Sequence, residues 1–132
     1  MNRLIAAGAL CLGLALAPTS VANASAAAVR DPYGHTFPGW VKARNNAPLA
    51  VYSSSNFTFQ KGWLDTTTSG FLCKTTTRNT PDGQPIWAYY TQGDRYLPGK
   101  GAHNSWGFVW ASGNVFLSPN ALPWCGFNSV PA

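Results

Sequence analysis

Beyond residue 28 the chain shows no sustained 3.6-residue apolar period, but it does show short runs that alternate every second residue. Such alternation marks strands with one face turned inward. In Leu49–Ser53, Leu49 and Val51 share one face and Ala50 and Tyr52 the other. Phe71–Thr75 places Phe71 and Cys73 inward and Lys74 outward. Ile86–Thr91 is the clearest run, with Ile86, Ala88 and Tyr90 opposite Trp87, Tyr89 and Thr91. Aromatic residues on both faces suit a central strand, or one with a face used for binding. Trp106–Ala111 puts Trp106, Phe108 and Trp110 on one face, which reads as core. Trp40–Arg44, Phe57–Phe59, Trp63–Leu64 and Val115–Leu117 are weaker strand segments.

Turn chemistry separates these runs. Asn45–Pro48, Ser53–Asn56, Asn79–Pro85 and Ser112–Asn114 are rich in Asn, Ser, Gly and Pro. Within Asn79–Pro85, Pro81 presets φ and Gly83 allows positive φ. Gln92–Ser105 reads as a long loop, a kind of segment often functional in small domains. Residues 30–39, with two prolines and two glycines, read as irregular. The expected fold is all-β, a small barrel or sandwich of five or six short strands. No internal repeat and no second domain are visible.

The N-terminus reads differently. Asn2 and Arg3 precede an apolar run from Leu4 to Ala17, then Pro18–Ser20 and a series of small residues. That order is a secretory signal peptide, assigned to residues 1–26. The alternative is an uncleaved amphipathic anchor. Cleavage fits after Ala24, Ala26 or Ala28, with the first two preferred. The remaining chain divides into an irregular lead-in, 27–39, and one domain, 40–132. A secreted, extracellular location is expected. Cys11 follows Leu10 rather than a small residue, so it is not a lipoprotein site and leaves with the signal.

Cys73 and Cys125 then remain. An even pair in an exported small domain is expected to form a disulfide, the alternative being two free buried thiols. Closing a loop of about 50 residues contributes roughly 4 kcal/mol in the chain-entropy model. A domain of about 105 residues holds a core without it, but narrowly.

Eight Lys and Arg residues follow the signal, against Asp31, Asp65, Asp82 and Asp94, and the chain has no glutamate. The positive charge is spread rather than clustered, which argues against nucleic-acid binding. A mild preference for anionic surfaces is what it supports.

Catalytic sets are poorly represented. Paired cysteines leave no nucleophilic thiol. His35 lies in the lead-in and His103 in the long loop, and there is no G-x-S-x-G elbow. A glycosidase pair would have to be Asp65 and Asp94, since Asp82 belongs to its Pro-Asp-Gly turn. Two distant histidines do not make a zinc site. No catalytic residue, metal or cofactor is therefore expected. Asn56-Phe57-Thr58 matches a glycosylation sequon, a pattern common by chance.

What remains is aromatic surface. With Ile86 and Ala88 inward, Trp87 and Tyr89 would form an exposed ledge, extended by Tyr52 and Tyr96. Those four are the expected ligand-binding residues, since exposed aromatics with nearby amides suit peptides or sugars.

The order of segments over residues 40–117 resembles the bacterial SH3-like (SH3b) domain, in its small secreted actinobacterial form. The segments that carry the resemblance are Leu49-Ala50-Val51-Tyr52-Ser53, Gly70-Phe71-Leu72-Cys73, Trp87-Ala88-Tyr89-Tyr90 and Gly107-Phe108-Val109. Tyr52-Ser53-Ser54-Ser55 departs from the family's common Arg-Ser-Gly-Pro, and the Gln92–Ser105 loop is longer than usual. The resemblance implies an SH3-like barrel, cysteines at the middle strand and near the C-terminus, and a non-catalytic module that recognises cell-wall peptide or glycan. A secreted monomer is expected, with no nucleic-acid partner and no membrane span once the signal is removed. The second expectation is a protein–protein interaction factor, such as an inhibitor of an extracellular enzyme, acting through the Gln92–Ser105 loop. A small hydrolase ranks third.

Overall fold

In the computed structural model, which describes residues 27–99 and 105–132, the alternating segments become strands. The signal-peptide assignment, Cys11 and His103 lie outside the described residues, as does part of the Gln92–Ser105 loop. The strands are β1 (Val29–Arg30), β2 (Thr36–Phe37), β3 (Val41–Arg44), β4 (Leu49–Tyr52) and β5 (Gln60–Leu64), then β6 (Thr68–Phe71), β7 (Cys73–Asn79), β8 (Pro85–Gln92), β9 (Arg95–Tyr96) and β10 (Trp106–Trp110). A short 3-10 turn covers Pro119–Ala121. No helix among the described residues is long and apolar enough to cross a membrane.

The all-β expectation holds, but the barrel does not form. Six strands make one antiparallel sheet in the order β7-β8-β10-β4-β5-β9, open at β7 and β9. β1 pairs with β2 and β3 with β6 in two separate two-stranded sheets. The chain leaves β6 and enters β7 across Leu72 alone, so one nearly continuous segment serves two sheets.

The large sheet is buried on both faces. On one side Ala88, Tyr90, Trp106 and Phe108 pack with Phe37 and Leu72. On the other Tyr89, Val109, Val51 and Leu64 pack with Phe71 and Leu122. β8 therefore has no solvent face over its central residues: Ala88, Tyr89, Tyr90 and Thr91 are all buried. Trp106 and Phe108 are core, as expected, whereas Trp110 at the strand end is 37% exposed and stacks on Phe57 at 5.0 Å. Lys74, expected outward, is buried beneath the tail. Its Nζ donates to the Pro119 carbonyl at 2.8 Å and lies 5.0 Å from the Trp124 ring centre.

The disulfide expectation holds: Cys73 and Cys125 are bonded across a sequence separation of 52. The tail runs along the open edge of β7, where Lys74 N donates to Pro123 O and Cys125 N to Lys74 O, each at 2.9 Å. It then reaches Ser53, just past the end of β4, where Val130 N donates to Ser53 O at 2.8 Å.

Residues 27–39 are not the irregular lead-in expected from their prolines and glycines. They form the β1–β2 hairpin, with Val29 opposite Phe37. Asp31 is the reason. Its Oδ1 accepts from Tyr33 N at 3.0 Å and His35 N at 2.8 Å, which closes the turn. Its Oδ2 accepts from Tyr90 OH at 2.7 Å and shares a hydrogen bond with His35 Nδ1 at 2.8 Å. A buried carboxylate is tolerable only when so satisfied. Burial works against the Asp31 charge, but the hydrogen bonds from Tyr90 and His35 outweigh it and hold the carboxyl below its ordinary value.

A depressed carboxyl pKa stabilises the fold fully above the unfolded-state range, about pH 4, and the contribution is lost as pH falls through the folded value. Asp31→Asn is expected to cost about 3 kcal/mol at neutral pH, because Tyr90 and His35 lose a charged acceptor. Urea denaturation across pH should show the gap between the two proteins narrowing below about pH 4. A gap that stays constant down to strongly acidic pH contradicts this role for Asp31.

Candidate functional site

The β3–β6 pair sits apart from the large sheet and positions the main cleft. Register sets Val41 opposite Phe71, Lys42 opposite Gly70, Ala43 opposite Ser69 and Arg44 opposite Thr68. Alternation turns Val41 and Ala43 toward the core of Phe71 and Tyr89 and leaves Lys42 and Arg44 exposed. Trp40, just before β3, is 41% exposed. Its indole lies against Gly70, where an added Cβ would fall 2.7 Å from Trp40 Cε3. It also leans on Trp106 at a ring separation of 5.9 Å. Glycine at position 70 is thus what lets the indole lie close to the strand. Thr91 Oγ1 donates to Gly70 O at 2.6 Å and ties β6 to β8.

These contacts frame an open cleft of about 410 Å³. Trp40, Lys42 and Gly70 line one part, Gln92 and Asp94 another, with the buried Leu64 and Ser69 also lining it. Ser69 is 8% exposed, and its hydroxyl has no hydrogen-bond partner among the described residues. An aromatic face beside a few convergent polar groups is the usual composition of a small-ligand site.

The carboxylates near the cleft are engaged structurally. Asp94 Oδ2 accepts from Asp65 N at 2.7 Å, Thr66 N at 3.1 Å and Thr66 Oγ1 at 3.2 Å. Asp65 accepts from Arg95 Nε at 2.7 Å and Nη2 at 2.8 Å. The Arg95 guanidinium lies 3.9 Å from the Trp63 ring centre. The Arg95 hydrogen bond and charge hold Asp65 below the ordinary carboxylate range. A glycosidase acid needs the opposite shift. Asp82 is likewise held low, by its turn partner Thr80. Among the described residues no three His, Cys, Asp or Glu side chains gather as metal ligands.

The four aromatics singled out from the sequence are not brought together as a ledge. Tyr89 is 2% exposed and corrects that expectation. It packs edge-on against Phe71 at 6.0 Å, and its hydroxyl donates to Leu117 O at 2.7 Å. Burial pushes that hydroxyl up to about 12. The ledge fails because the face opposite Ile86 and Ala88 is covered by a second core. Trp87 is half-buried and leans on Trp124 at 5.6 Å. Tyr52 is half-buried against Phe57 at 5.7 Å. Tyr96 alone of the four is well exposed, at 51% on β9.

Sequence reasoning passed over Trp40 and Lys42, assigning them only to a weak strand. The usable signal was the Trp-x-Lys-x-Arg alternation of residues 40–44. Gln92 and Asp94 open the long loop already marked as functional.

The chain matches no protein-family model, no curated protein and no solved structure.

Gly70→Ala is expected to displace Trp40, since the new methyl occupies the position of the indole edge. Overpacking of this kind costs about 1–3 kcal/mol. Tryptophan fluorescence of the folded variant should shift toward the solvent-exposed range. An unchanged spectrum at unchanged stability contradicts the packing described for Trp40.

Proposed function

We propose that the chain is a secreted, non-catalytic, SH3-like binding module that holds a cell-wall peptide or glycan in the Trp40 cleft. The observation that carries this reading is the cleft itself: one exposed indole beside Lys42, Gln92 and Asp94. A non-catalytic role accords with the carboxylates, since Asp65 is depressed in pKa and Asp94 Oδ2 serves as a loop cap. Secretion is supported by the signal-like N-terminus and by a disulfide, which persists in oxidising compartments. The SH3-like reading draws on four short segments, which fall on β4, the β6–β7 junction, β8 and β10. The open sheet is a departure from a closed barrel.

A second reading, a protein–protein interaction factor, draws on the other side of Trp40. There a groove of about 220 Å³ is lined by Pro38, Gly39, Trp40, Val41, Ala121 and Pro123. Apolar, proline-rich lining suits a protein surface better than a sugar.

Purified peptidoglycan should retain the protein in a pull-down through a salt wash, and Trp40→Ala should abolish the retention. Tyr96→Ala, at an exposed aromatic that does not line the cleft, should leave it intact. No retention above the salt-washed control contradicts the cell-wall reading.

A further inference from the structure

The outward face of β3 continues the cleft as a row. Trp40, Lys42 and Arg44 follow one another at every second residue, about 7 Å apart along an extended strand. All three are exposed, and across the strand pair they face only Gly70 and Thr68. Neither Lys42 nor Arg44 has a carboxylate within 4.0 Å among the described residues. Arg44 is steadied instead by an apolar contact, its guanidinium lying 5.3 Å from the Phe116 ring centre.

Among the described residues no aspartate forms an ion pair with this row. Asp31 is buried against Tyr90 and His35, Asp65 is taken by Arg95, and Asp82 is occupied in its own turn. Asp94 is the one carboxylate lining the cleft among the described residues, and its Oδ2 already accepts three hydrogen bonds. The result is an indole, an ammonium and a guanidinium in line on one strand face.

We infer that this row binds an acidic glycan, one sugar ring stacking on Trp40 and carboxylates of the same chain pairing with Lys42 and Arg44. The inference rests on reading the Trp40 cleft as the ligand site and names the ligand's chemistry there. A sugar ring presents an apolar C–H face to an aromatic plane, and its hydroxyls match the Gln92 amide at the cleft. Arginine donates two parallel hydrogen bonds to a carboxylate, whereas lysine acts as a point charge. A nucleic acid also carries repeated negative charge, but it calls for a broader basic surface than two cations in a row.

The test is calorimetric titration of the intact, oxidised chain with a galacturonic acid tetramer. N-acetylchitotetraose is the neutral comparison and an oligothymidylate the nucleic-acid comparison, each at about 50 and about 300 mM salt. The acidic tetramer should bind best and weaken with salt. Lys42→Gln together with Arg44→Gln should weaken it about 10-fold, the combined worth of two exposed charge pairs. These positions are exposed, so near-ultraviolet circular dichroism should be unchanged. The inference is overturned if the double variant binds the tetramer like the parent. Equal binding of the neutral sugar or of the oligothymidylate also overturns it. Failure of the acidic tetramer while peptidoglycan retention persists overturns this inference and leaves the binding reading standing. Failure of both removes both.

Discussion

Strand β8 is buried on both faces, and the rest of the molecule is arranged around that constraint. A sheet of antiparallel strands usually keeps one face wet. Here Ala88 and Tyr90 enter one core while Tyr89 enters another. Each core needs a cover. The β1–β2 hairpin, Phe57 and the tail cover the first, and the β3–β6 pair with Leu122 covers the second. The disulfide fixes the tail where it is needed, since Cys73 lies in the first core and Cys125 packs against it. The Asp31–Tyr90 hydrogen bond does the same for the hairpin, with a polar anchor in place of a covalent one.

Two cores consume most of the aromatic side chains, and this explains what could be read from the sequence. The strong strands were legible because β8, β10 and β4 carry β-branched and aromatic residues in unbroken alternation between turn signals. The disulfide was legible from cysteine arithmetic. The second core was not. Period-two alternation identifies two faces but does not say that both are covered, and the cover over Tyr89 comes from Phe71, Leu117 and Leu122, distant in sequence. The hairpin at 27–39 was hidden for a related reason. A turn rich in Pro and Gly reads as irregular until Asp31 is seen to find Tyr90, 59 residues away.

The same constraint moves the site. Aromatics on the central strands are committed to packing, so the surface open to a ligand lies on the covering layer. Trp40 is held there by an absence, the missing side chain of Gly70, and by Trp106 at the start of β10 in the six-stranded sheet. The polar groups around it come from three places: β3 supplies Lys42, the end of β8 supplies Gln92, and the turn after β8 supplies Asp94. No local motif encodes such a site, because its parts meet only after β6 has been tied to β8 through Thr91 and Gly70. Charge follows the same logic. Most aspartates hold the fold together, which leaves the lysine and arginine of β3 facing solvent.

The account stands on Trp40 and its neighbours forming the ligand contact. The most direct measurement is two-dimensional NMR of the labelled protein during titration with soluble peptidoglycan fragments, following the six indole N–H signals and the backbone amides. The account predicts that the Trp40 indole and the amides of Lys42, Gly70, Gln92 and Asp94 shift together while Trp87 and Tyr89 stay in place. Shifts centred on Trp87 and Trp124, with Trp40 unmoved, would contradict it.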